Sequence, residues 1–222
     1  MQQQPNHESK RSMAETLDAL VASDGTGSHS YILSGRLLND RQVQRNLADV
    51  AHYLCVLHGR HPGVMDHAAL KITDTPARQW LTEAADAFVQ ERSYLAKLAV
   101  AAGPIPSTVG QAQFEAAIAA QRHALETLAQ SERNGCALAA AIALSLDWLT
   151  MRAILDSAAD RLDLIPPPCL LPDVRKTAEL VNSFAQTEAI ERAMTFGAQQ
   201  VLSQHRGLWD ILSAREEARR AS

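Results

Sequence analysis

The chain has 222 residues with 46% hydrophobic, 21% charged and 5% aromatic side chains, enough for one substantial core and inconsistent with disorder throughout. Lys and Arg total 21 against 25 Asp and Glu, a formal net charge of -4, so there is no overall basic excess to neutralise nucleic-acid phosphates. Three cysteines, Cys55, Cys136 and Cys169, are too few and too scattered for a disulfide framework or a thiolate metal site, and each reads as a small hydrophobe.

Residues 1–30 read as a flexible N-terminal segment with a short helix from Met13 to Val21, closed by the polar stretch SDGTGSHS at 23–30. No signal-peptide apolar core follows Met1–Asn6, and no Gly-Lys-Ser or Gly-Lys-Thr follows the glycines, which excludes a phosphate loop there. Residues 31–219 are expected to form a single helical-bundle domain.

The first long helix spans about 40–59, where Val43, Leu47, Val50, Leu54 and Leu57 recur at helical spacing. Asn39 or Asp40 is its expected cap, and Gly59 and Pro62 stop it. The next runs over 76–102, capped by Thr75, with Trp80, Ala84, Phe88, Leu95 and Leu98 on its core face. A third, over 110–130, opens on a Thr108/Gln111 capping box and buries Phe114, Ile118, Leu125 and Leu128.

The fourth is expected over 132–162, with Ser131 as cap; the Asn134-Gly135 pair offers a turn at the same boundary. It is free of charge from Asn134 to Leu146, which places it centrally. Its longest apolar run, Cys136–Leu146, is about half of what crosses a bilayer, so it reads as a helix buried in protein. Pro166 to Pro168 break the chain, and helix resumes over 173–204 with an interruption near Phe184. A short terminal helix follows Gly207, and the AREEARR tail is expected to fray.

This pattern defines an all-α, antiparallel multi-helix bundle. A ferritin-like arrangement without a complete di-metal ligand set is the leading architecture. A solenoid lacks a supporting sequence period, and a kinked, globin-like arrangement is the other alternative.

Two groups of residues carry candidate chemistry. The segment from His52 to His67 holds His52, His58, His61 and His67, candidate ligands for zinc or iron that match no established zinc spacing. The competing structural role is hydrogen bonding of open helix-end carbonyls by His58 and His61. Glu91, Gln121, His123, Asp147 and Arg152 fall on apolar stripes and are expected to form one internal polar network, Glu91 pairing with Arg152. No Glu-x-x-His occurs, which counts against a di-metal centre. Gly-x-Ser-x-Gly is absent as well.

The function expected on these grounds is that of a soluble cytoplasmic helical domain for interaction, scaffolding or sensing, acting without catalysis. It would form a homodimer and contact neither nucleic acid nor membrane. The alternatives are a metal- or haem-dependent oxidoreductase using the histidines, and a carrier of a small hydrophobic ligand walled by Trp80, Phe88, Phe114 or Trp148.

Overall fold

In the computed structural model, residues 11–221 are described. They form ten α-helices and one short 3-10 turn, with no strand. The helices are α1 (Met13–Asp24), α2 (Ser30–Leu33), α3 (Arg36–Asn39), α4 (Val43–His58), α5 (Val64–Lys71), α6 (Thr75–Ala102), α7 (Gln111–Ala129), α8 (Cys136–Arg161), α9 (Val174–Phe184) and α10 (Glu188–Arg220). The chain is therefore an all-α multi-helix bundle.

The charge-free α8 is the centre of the bundle. Residues Cys136 to Ser145 are all buried, as sequence-long apolarity requires of a helix with no solvent face. By length and composition α8 could cross a membrane, with a mean hydropathy of 1.6, yet 78% of that window is buried inside the protein. Around it stand α1, α5, α6, α7 and α10, the last making the most extensive contact. Two glycines of α10 permit close approach: a Cβ at Gly197 would collide with the Cys136 carbonyl, and one at Gly207 with the Gln121 amide.

Several boundaries differ from expectation for local reasons. Asp74, rather than Thr75, caps α6 by accepting from the Ala77 amide at 2.9 Å. The turn alternative prevails before α8, which starts at Cys136 after Gly135 at φ 90°. Gly110, rather than the Thr108/Gln111 pair, precedes α7, and Gln42 precedes α4. The interruption near Phe184 is present, because α9 ends there and Thr187 caps α10.

The separate terminal helix is not. α10 runs through Gly207 to Arg220, and Arg215 and Glu216 are fully buried, so the charged tail is part of the core assembly. Helices α2, α3 and α5 are short and lie where the hydrophobic spacing predicts no helix.

The expectation for residues 1–10 lies outside the described residues. From Ser12 onward the chain is packed: Ser12 and Glu15 complete a capping box, and Met13, Ala14 and Leu17 are buried. Thr26, in the stretch read as a polar loop, is also fully buried.

Candidate functional site

The polar interior of the bundle divides into three clusters, each joining helices distant in sequence. The first is centred on Asp147 of α8. Its Oδ1 accepts from the Thr26 amide at 2.7 Å and its Oδ2 from the Thr26 hydroxyl at 2.8 Å. His205 of α10 donates from Nδ1 to Asp147 Oδ2 at 2.7 Å. The Trp209 indole donates to Thr26 Oγ1 at 2.9 Å, closing the group. Burial alone would raise the Asp147 carboxyl, but hydrogen bonds from His205 and Thr26 hold it below its ordinary value.

His205 then meets His58, at the end of α4, with their Nε2 atoms 3.1 Å apart. One of the two Nε2 atoms carries a hydrogen and donates to the other. The His58 ring packs edge-on against Trp148 and Phe88, at centroid distances of 5.7 and 6.3 Å. Burial, then the neighbouring His205 and Arg92, push its pKa well below the usual imidazole value, so His58 is neutral.

The second cluster is Glu91 and Arg152. Arg152 Nη1 donates to Glu91 Oε1 at 2.6 Å, and the Trp148 indole donates to Oε2 at 2.9 Å. Arg152 Nε reaches Asp156 at 2.7 Å, its Nη2 donates to the Pro167 carbonyl, and its guanidinium lies 4.4 Å from the Tyr94 ring centre. The proline segment is thereby tied down over the ion pair. Burial works against the Arg152 charge, yet Asp156 and Glu91 hold its pKa above the ordinary guanidinium value.

The third is centred on Asp49 of α4. It accepts from Arg215 Nη2 at 2.9 Å and from Arg219 Nη1 at 2.5 Å. Arg215 also donates to the Pro106 carbonyl, while Arg219 reaches Asn46 and Thr108. The Arg215 guanidinium lies near the Tyr53 and Phe114 rings. Burial is the chief reason that the Tyr53 phenol is pushed up to about 12.

The expected single network is thus two separate clusters, and two of its members stand outside both. Glu91, Arg152 and Asp147 are buried, the first two as the anticipated pair. His123 is 81% exposed and lies 4.0 Å from Glu126, because the alanine face of α7 turns partly outward. Gln121 is half-buried against Gly207, and its Oε1 has no hydrogen-bond partner.

The four candidate metal histidines do not converge. His52 donates from Nε2 to the Gly103 carbonyl at 2.7 Å, so the helix-end role belongs to it rather than to His58. His61 is exposed beside Asp66 and Arg92. His67 lies half-buried on α5, and only His58 enters the interior. Among the described residues, no three His, Cys, Asp or Glu side chains form a group able to hold a metal ion. Cys136 is buried and Cys55 half-buried, but Cys169 is exposed, on the segment after the prolines. Burial pushes the Cys55 thiol up, away from thiolate reactivity.

Little space reaches these clusters. A cavity of about 20 Å³ touches His58 and Phe88, room for one water. Trp80 and Trp148 are buried with their indole N–H groups on Thr177 and Glu91. Larger hollows lie at the surface: grooves of about 580 and 560 Å³ flank Phe196 and Arg133, which stack at 5.3 Å.

Fold and interior together define an all-helical bundle whose buried acids, arginines and histidines are joined across helices. Residues 21–220 match the family of unknown function DUF6975, and the chain belongs to that family. No curated protein and no solved structure matches the chain.

Proposed function

We propose that this chain is a non-catalytic helical module for interaction or scaffolding, acting through its surface as a cytoplasmic homodimer. The observation that carries this reading is the enclosure of its chemistry. Asp147, His205, His58, Glu91 and Arg152 are spent on one another, on the side chains of Thr26, Trp148 and Asp156, or on the backbone, and the cavity beside them has room for about one water.

The surface offers a suitable contact. Phe196, 39% exposed, and Arg133 form a ridge with a groove on either side. A ridge beside a groove is self-complementary about a two-fold axis, the usual symmetry of a soluble dimer. Sedimentation velocity on the wild type and on Phe196→Glu tests the reading. The wild type should dimerise with concentration, and the variant should stay monomeric with an unchanged helical spectrum. A wild-type chain that is monomeric at every concentration removes the dimer.

One observation favours the metal-dependent alternative and the ferritin-like comparison. The four helices α4, α6, α8 and α10 bring His58, Glu91, Asp147 and His205, all ligand-capable, into the interior. Against it, Arg152 and Trp148 occupy Glu91, and Thr26 occupies Asp147. Calorimetric titration with zinc, manganese and ferrous iron separates the two readings; stoichiometric uptake abolished by His205→Ala would favour the metal. The carrier reading has the least support, since its aromatic walls enclose no chamber of ligand size.

A further inference from the structure

We propose that residues 164–172, LIPPPCLLP, are a preformed polyproline-II ligand for a partner protein that grips such a helix in a groove of aromatic side chains. This surface is separate from the Phe196 ridge and does not depend on dimerisation.

Display is the first argument. The segment carries no charged, amide or hydroxyl side chain, yet it forms no helix and runs along the surface. Ile165 is 94% exposed and Leu170 54%, and Pro166, Pro168 and Cys169 are exposed as well. An unbroken apolar run shown to solvent is expected only where a partner covers it.

Conformation is the second. Each proline fixes its own φ near about −65° and drives the residue before it to an extended ψ. Ile165, Pro166 and Pro167 all precede a proline, and the peptide bonds among them are trans. Pro166 and Pro167 therefore adopt the polyproline-II form, a left-handed helix of about three residues per turn. Burial follows that period: Leu164 and Pro167 are half-buried, whereas Ile165, Pro166, Pro168 and Cys169 face solvent. One edge of the helix lies on the bundle and the other two point outward.

The inner edge is fastened. Arg152 Nη2 donates to the Pro167 carbonyl, and Arg152 is itself held by Glu91 and Asp156. The Leu164 amide donates to the Ala159 carbonyl at 2.9 Å, and Leu164 and Leu171 pack against the core. A partner meets a fixed shape, so little ordering entropy is lost on binding.

The outer edges define what the partner supplies. Residues 166–168 have no backbone N–H, which rules out strand pairing along them. The absence of charge removes ionic docking. Among the described residues no hydrogen bond uses the Pro166 or Pro168 carbonyl, so both are free to accept from an indole or phenol. A groove of Trp and Tyr provides flat apolar faces for the proline rings and donors for these carbonyls.

The test is calorimetric titration of the full chain into purified WW, SH3 and EVH1 modules, which carry grooves of this kind. At least one module should bind with micromolar affinity. The double variant Pro166→Ala with Pro168→Ala should weaken that binding about tenfold or more, a loss of over about 1.4 kcal/mol. Ile165→Asp should weaken it as well, and its exposure leaves the Tm and helical spectrum unchanged. Phe196→Glu should bind as the wild type does, so this proposal and the dimer fail separately. Silence from all three modules, or equal binding by the wild type, the proline variant and Ile165→Asp, would overturn the proposal.

Discussion

His205 Nδ1 lies 2.7 Å from Asp147 Oδ2, and both side chains are sealed from solvent between α8 and α10. The same carboxylate holds the amide and the hydroxyl of Thr26, so one acidic residue joins the N-terminal region to the two most closely packed helices. A charged group so enclosed is tolerable only because every available bond is made.

Replacing Asp147 by Asn removes the charge and supplies an N–H where acceptors are needed. We expect a loss of about 3 kcal/mol in unfolding free energy, read from urea denaturation. Loss of Thr26 anchoring should also increase proteolysis within residues 23–30. A variant as stable as the wild type would show that the cluster contributes nothing.

The Glu91–Arg152 pair gives a contrasting expectation. Glu91→Gln leaves the buried Arg152 guanidinium with Asp156 alone as counter-charge and should cost about 3 kcal/mol. The double variant Glu91→Leu with Arg152→Met should recover a large part of that loss, because apolar groups of similar size need no partner. A fully additive double-mutant cycle in denaturant unfolding would contradict the coupling.

Acid sensitivity follows from His58. Its folded pKa lies well below the ordinary 6.5, so between those two values the unfolded chain binds the extra proton. Stability therefore falls as pH is lowered through this window, by up to about 1.4 kcal/mol per pH unit from this residue. Asp147, whose folded pKa is lowered, adds a further loss only below the ordinary carboxylate range. His58→Gln should flatten the decline between about pH 6.5 and 5, measured as Tm against pH, while leaving the more acidic loss in place.

The end of α10 should behave as core. Arg219→Gln removes the bonds to Asp49, Asn46 and Thr108 and is expected to cost about 2 kcal/mol. Hydrogen exchange should show slow amides through Arg215 and Glu216 in the wild type. Fast exchange there would restore the fraying tail that the charge pattern suggests.

The apolar stripes were readable because burial enforces helical spacing: Trp80, Phe88, Leu95 and Leu98 sit inside as expected. So was the Glu91–Arg152 pair, since a carboxylate on a stripe needs a cation. His205 and Arg215 carried the same signal, continuing the stripe of Val201, Leu208 and Leu212. Gly207 concealed them, because a glycine reads as a break when seen alone, and only the crossing by Gln121 explains it. Asp49 gave no such cue: its partners lie about 170 residues away. Thr26 was masked by a polar neighbourhood, and it is Asp147 that draws it inside.

The central claim is that the histidine pair is a closed part of the framework rather than an accessible reactive site. Acylation by diethyl pyrocarbonate, followed residue by residue by mass spectrometry, tests it directly. In the native protein His61 and His123 should react rapidly, while His58 and His205 react only after denaturation. Native-state modification of His58 at the rate of His61 would contradict the account.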